Sequence, residues 1–137
     1  MIKSTHQKRV RYAETDKMGF LYYGHYAIYY EIGRAELIRN LGVTYHDMEE
    51  VHQVMLPVVR LECKYHGSAY YDDLLTIESV IPYLPTKMLE FQHRILNEDG
   101  KVLNTGNVKL FFVDRQSGKR ISCPDFLMER IEKFFRP

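Results

Sequence analysis

Apolar positions along the chain change period twice. Residues 5–14, THQKRVRYAE, alternate weakly around Val10 and Tyr12 and predict a first strand. Between Gly24 and Leu41 the pattern becomes helical. Ile28, Ile32, Ala35, Ile38 and Leu41 recur at intervals of 4, 3, 3 and 3, the spacing of one helix face. Glu31, Arg34 and Arg39 fall off that face, and Gly42 stands where a C-terminal cap glycine belongs. Residues 43–52 are polar and predict a short helix and a loop. Four runs rich in Val, Ile, Leu, Phe and Tyr follow at 55–66, 74–84, 87–97 and 101–114, and each predicts a strand. Leu61, Cys63 and Tyr65 alternate with Arg60, Glu62 and Lys64 in the first of them. Turn chemistry separates the runs, most explicitly Asp99-Gly100 in the 97–100 turn. The stretch from Ser122, with Phe126, Leu127, Ile131, Phe134 and Phe135, predicts a short closing helix.

One strand, one long helix and four sequential strands imply a mainly antiparallel sheet. One sheet face needs a cover, and the long helix is the only large amphipathic element available. The expected architecture is a single α+β domain over residues 1–137, a five-stranded sheet wrapped around one long central helix.

Composition narrows the function classes. With 137 residues, 45% hydrophobic and 27% charged, the chain can bury one sizeable core. A net charge of +1 argues against nucleic acid as partner. Lys8-Arg9-Val10-Arg11 alternates like a solvated strand edge. Cys63 and Cys123 fit no metal-ligand spacing and read as free thiols in a reducing compartment, Cys63 buried within its strand. No apolar run of signal-peptide or transmembrane length occurs, so a cytoplasmic protein with no transmembrane segment is expected. HExxH, P-loop, GxGxxG and GxSxG patterns are all missing, and no metal site is expected.

The remaining chemistry concentrates between the first strand and the helix. Asp16 lies at a chain reversal, Gly19 follows, and Tyr22-Tyr23-Gly24-His25 leads into the helix. A helix start offers unpaired backbone N–H groups and a partial positive charge, which suit an oxyanion forming on a thioester carbonyl. A carboxylate opposite could act as general base for water or attack the carbonyl itself. Gly24 would let a substrate approach the backbone closely. Residue types alone equally allow a turn cap at Asp16, a packing role for His25, and core or interface roles for Tyr22, Tyr23, Tyr26, Tyr29 and Tyr30.

The stretch YAETDKMGFLYYGHYAIYYEIGRAELIR closely resembles the opening of hotdog-fold acyl-CoA thioesterases of the 4-hydroxybenzoyl-CoA thioesterase type, especially the branch linked to the bacterial Tol-Pal cluster. LPVVRLECKYHGSAYYDDLLTIES is similar to that family's second and third strands, and the resemblance runs over about residues 5–130. It implies a hotdog fold, dimers that join their sheets and often pair into tetramers, and active sites at the dimer interface. By position it makes Asp16 the catalytic aspartate and the Tyr23 backbone N–H the donor to the thioester carbonyl. His25 falls where the family carries Asn or His near the thioester. Tyr22, Gly24, Leu56, Pro57 and Val58 would border the substrate. Tyr23 stands where the family often has His, and Gly24 where Ala or Pro is common.

The implied activity is hydrolysis of an acyl-CoA to free acid and CoA, with coenzyme A part of the substrate and no separate cofactor. A carrier protein stays open as thioester donor, met by a basic rim of Lys87, Arg94, Arg115 or Lys119. The alternative is a module that binds acyl-CoA or acyl carrier without turnover.

Overall fold

The sheet and its long helix are set by which residues can reach the interior. In the computed structural model, which describes Met1–Pro137 throughout, the elements are β1 (Ile2–Arg9), α1 (His25–Asn40), α2 (Tyr45–Glu50), β2 (Val54–Met55), β3 (Val58–Tyr65), β4 (Leu74–Ile81), β5 (Met88–Leu96), β6 (Val102–Asp114), β7 (Arg120–Ile121) and α3 (Asp125–Glu132). All strand pairs are antiparallel, in the order β1-β4-β5-β6-β3, while β2 and β7 pair with the far end of β6. Leu110 of β6 faces Leu89 on one side and Val58 on the other.

The sheet therefore has seven strands, not the expected five. The run 55–66 is split at Leu56-Pro57, because proline has no N–H to give to a ladder. β7 is a two-residue strand in the gap between the run expected to end at 114 and the closing helix expected from Ser122. The first strand lies earlier than expected, at Ile2–Arg9, and Tyr12–Glu14 forms a 3-10 turn.

α1 packs against β1, β3, β4 and β5. Its buried face is not the isoleucine face. Tyr26, Tyr29, Tyr30, Gly33, Arg34, Leu37 and Ile38 are buried, so Ile38 alone of the expected face is fully buried, whereas Ile28 is 47% exposed and Ile32 only half-buried. The period is right and the phase is turned by roughly 130° around the helix. The three tyrosines bury far more surface than the isoleucines would, so they claim the sheet side. Gly33 makes this possible, since a Cβ there would overlap the Ser79 hydroxyl and Ile77. Gly106 lies as closely under the Tyr30 ring. The Tyr30 hydroxyl donates to Asn104 Oδ1, and its ring stacks on His93 at 4.7 Å. Burial, and then the nearby Arg34 charge, hold His93 down to about 3, so it packs as a neutral ring. Cys63, expected to be buried, is half-buried on the edge strand β3.

One carboxylate ties the beginning of the chain to this helix. Glu14 is 4% exposed. It accepts from the Lys8 ammonium at 2.9 Å, the Arg11 N–H at 2.8 Å and the Tyr29 hydroxyl at 2.9 Å. Its backbone carbonyl accepts from the Tyr22 N–H at 2.9 Å. Burial opposes the charged form, but the three donors outweigh it and hold the pKa near 2 against an ordinary 4.5.

A carboxyl group whose folded pKa is depressed stabilises the fold above its unfolded pKa and loses that contribution as pH falls toward the folded one. Glu14→Gln is expected to cost about 3 kcal/mol near neutral pH, from the size of this shift. The gap to the unsubstituted protein should close as pH falls from 4.5 toward 2. Urea unfolding of both proteins across that range checks it, and a gap that ignores pH would refute the assignment.

Candidate active site

The turn after Glu14 is built around Asp16. Thr15 and Leu21 bridge across it, and Leu21 donates to the Ala69 carbonyl at 2.8 Å. Asp16 Oδ1 accepts from the backbone N–H of Met18 at 2.9 Å and of Phe20 at 3.1 Å. The Asp16 N–H in turn donates to the Phe20 carbonyl at 2.8 Å. Gly19 closes the loop at φ +86°, in the left-handed region that favours glycine. One carboxylate oxygen is thus held by two donors, while Oδ2 takes none of the protein's hydrogen bonds. The turn cap and the reactive group allowed by residue type are two oxygens of the same side chain.

Facing this turn is the start of α1. Gly24 is its cap residue, and His25 donates its backbone N–H to the Tyr22 carbonyl at 2.9 Å. The N–H groups of Tyr23 and Gly24 have no acceptor within the protein. Gly24 has ordinary helical dihedrals, so its lack of a side chain matters for space: a Cβ would stand 2.8 Å from the edge of the Tyr22 ring. Tyr22 and Tyr23 lean together at 4.5 Å.

Asp16 and Tyr23 line the same cavity of about 200 Å³, with Met18, Phe20, Tyr26 and Tyr65 among its walls. Tyr65, the last residue of β3, meets Tyr26 edge-on at 5.3 Å and donates its hydroxyl to the Tyr23 carbonyl at 2.9 Å. Partial burial, and then the Cys63 thiol beside it, push the Tyr65 hydroxyl up to about 12, so it stays a donor at neutral pH. Two larger grooves lie elsewhere. One, about 330 Å³, crosses the outer sheet face past Glu62, Lys64, Gln92 and Arg94. The other, about 340 Å³, follows the β4–β5 turn at Tyr83–Met88. Neither sets an unpaired carboxylate against open helix-start donors, so volume is a poor guide to chemistry here.

The fold does not gather every residue singled out in the sequence. Asp16 and Tyr23 share the cavity, while Tyr22 and Gly24, in contact with each other at the helix start, are not among its walls. His25 is half-buried with its ring against Tyr22, 5.8 Å away, and its Nδ1 is buried without a partner. Leu56, Pro57 and Val58 lie at the opposite end of β3 from Tyr65. Eight strand residues put about 25 Å between those ends. Arg94 and Arg115 of the expected basic rim are paired with Glu78 and Glu50 respectively. Met18, Phe20 and Tyr65 were not anticipated. Only the end-of-strand position of Tyr65 in an alternating run pointed toward it.

Comparison with known proteins covers most of the chain. Residues 10–131 match the Thioesterase-like superfamily. A putative acyl-CoA thioesterase, YneP, of Bacillus subtilis is 33% identical over 112 residues, covering 82% of this chain and 80% of that one. The acyl-CoA thioester hydrolase YbgC of Escherichia coli is 27% identical over 128 residues, covering 91% and 92%. The crystal structure of a DHNA-CoA thioesterase from Staphylococcus aureus superposes with a TM-score of 0.90 at 32% identity, over 98% of this chain and 92% of that one.

The geometry of the Asp16 turn depends on Gly19. A Cβ there would meet nothing within 4 Å, so any cost of a side chain is backbone strain alone. Gly19→Ala should lower unfolding free energy by about 1–2 kcal/mol, and Gly19→Asn by less, because Asn tolerates the left-handed region. Denaturant titration of the pair tests this, and equal stability of Ala and Gly would contradict it.

Proposed function

The chain belongs to the Thioesterase-like superfamily, and from that premise we propose that it hydrolyses acyl-CoA thioesters to free acid and CoA. One observation carries the reading: Asp16, with one carboxylate oxygen free of the protein's hydrogen bonds, and Tyr23, whose N–H is unpaired, line one cavity.

In this reading the thioester carbonyl lies against the Tyr23 N–H, with the Gly24 N–H beside it. Asp16 Oδ2 takes a proton from water as the water oxygen bonds to the carbonyl carbon, or attacks that carbon itself to give, once the thiolate leaves, a mixed anhydride that water then cleaves to free acid and the Asp16 carboxylate. Charge collects on the carbonyl oxygen, where fixed N–H dipoles and the helix terminus stabilise it without reorganising. Collapse breaks the C–S bond. A thiolate is a good leaving group, since a thiol ionises near pH 8.5, so the step needs no strong acid beside it. Phe20, Tyr26 and Tyr65 give the cavity apolar walls that shield these charges from water. No further cofactor is required for this chemistry.

The site is completed by a second copy. β3 is an edge strand, and Val58, Val59, Leu61 and Tyr65 on it are 40–52% exposed. An open apolar edge of this length invites pairing. Antiparallel pairing of β3 with its twin would set the partner's Val58 near Tyr65, bringing the Leu56–Val58 segment to the Asp16 cavity. A single chain holds those two groups of residues apart at opposite strand ends. Homodimers follow from this arrangement.

Free-thiol release from a panel of short aliphatic, long aliphatic, benzoyl and hydroxybenzoyl thioesters, as CoA and as carrier-protein conjugates, tests the activity. Asp16→Asn is expected to lower turnover by about 10²–10⁴-fold. Unchanged turnover in that variant would remove Asp16 from the chemistry, and binding without turnover across the panel would favour an acyl-binding module. Leu61→Asp should convert a sedimenting dimer to a single chain and abolish turnover along with it. A dimer that survives this change would place the interface elsewhere.

A further inference from the structure

The carbonyl-polarising donors belong to two consecutive peptide units, and the fold holds each by a different device. The Tyr22–Tyr23 unit, which carries the Tyr23 N–H, is fixed because its carbonyl accepts from the His25 N–H at 2.9 Å. The Tyr23–Gly24 unit carries the Gly24 N–H. Its carbonyl takes no bond from the helix backbone. Its one hydrogen bond comes from outside the helix, from the Tyr65 hydroxyl at 2.9 Å.

That second unit is prone to rotate. Turning a peptide plane changes ψ of the residue before it and φ of the residue after it, and here the residue after is Gly24. Glycine accepts positive φ about as readily as negative φ, so the flipped plane meets no steric barrier at a Cβ. In the flipped state the carbonyl oxygen would point where the N–H now points, and an acceptor would face the developing oxyanion. A hydrogen bond to the carbonyl opposes that flip.

We infer that Tyr65 is a positioning residue, its hydroxyl locking the Tyr23–Gly24 peptide so that the Gly24 N–H stays beside the Tyr23 N–H at the substrate carbonyl. The inference rests on the hydrolase reading above. It assigns Tyr65 an indirect role, through backbone orientation rather than proton transfer. It also links the edge strand to the catalytic centre: Tyr65 ends β3, so whatever orders that edge orders the peptide.

Tyr65→Phe removes the hydroxyl and keeps the ring that meets Tyr26. Two readouts separate positioning from mere packing. The first is steady-state turnover on the thioester hydrolysed fastest by the unsubstituted protein. The kcat should fall about 10- to 100-fold, somewhat less than the cost of deleting an oxyanion donor, with KM within about twofold. The second is the infrared band of a ¹³C-labelled thioester carbonyl bound to Asp16→Asn, with and without Tyr65→Phe. The band should move to higher frequency and broaden when the hydroxyl is removed, because the carbonyl is less polarised. Unchanged kcat, a loss confined to KM with an unmoved band, or a loss that tracks dissociation of the subunits in sedimentation would each overturn the inference. If the unsubstituted protein binds acyl-CoA without turnover, the hydrolase reading fails alone. The same band comparison, made directly on Tyr65→Phe, then decides the role of Tyr65. Binding to no thioester would end both.

Discussion

The candidate site depends on one buried carboxylate that is not itself part of it. Glu14 joins β1 through Lys8, the 3-10 turn through the Arg11 N–H, and α1 through the Tyr29 hydroxyl. Its own carbonyl fixes the Tyr22 N–H. The chain leaves this knot at Thr15, makes the Asp16 turn, and returns to it at Tyr22. Both walls of the candidate site, the carboxylate turn and the helix start, are therefore referenced to one point. A buried charge is costly unless paired and hydrogen-bonded, and this one has three donors, which is why its ionised form is the stable one. Glu14 supplies rigidity to a stretch that could not get it from packing, since Tyr12, Met18 and Tyr23 around it are largely exposed.

The site itself works against that stability. Helix-start N–H groups without acceptors, and a carboxylate with one free oxygen, are groups a protein optimised only for folding would cap. Gly24 weakens the helix start further by leaving a peptide plane free to turn. These deficits fall on three adjoining features and are offset by Glu14, the two backbone donors to Asp16 Oδ1, and the Tyr65 hydroxyl. The pattern is that of a preorganised site: polar groups are held in place by neighbours that never touch the reacting atoms.

Much of this was legible in the sequence, though unevenly. The long helix, the strand runs at 74–84, 87–97 and 101–114, and the Asp-Gly turn at 99–100 appear within a few residues of where turn chemistry and period put them. A carboxylate, a glycine three residues on and a helix start make Asp16 a candidate, but residue types alone allow a turn cap equally, and the family resemblance is what makes it the catalytic candidate. The phase of α1 was not legible, because Ile28, Ile32 and Ala35 carry as clear a period as the tyrosines do. Only the sheet decides which face it takes, through close approaches at Gly33 and Gly106. β2 and β7 are two residues each and carry no period at all. Glu14 looks like any polar residue beside a turn, since its burial comes from Lys8 and Tyr29 at the ends of other elements.

The edge strand shows most clearly where local reading stops. Leu61 and Tyr65 alternate in the sequence with charged residues, as on a strand with one face covered, and the family resemblance puts Leu56–Val58 beside the substrate. In one chain β3 has no partner on its outer side, and those two regions lie at opposite ends of it. Both features make sense together if the missing partner is an antiparallel copy of the same strand, because a two-fold axis across β3 exchanges its ends. The apolar positions on β3 are then interior, but to a sheet that two chains make. The Leu56–Val58 segment is a neighbour of Asp16, but of the Asp16 in the other subunit. A hydroxyl at the end of that same strand holds the peptide at the helix start, so assembly and the orientation of the polarising donors would rest on one shared element.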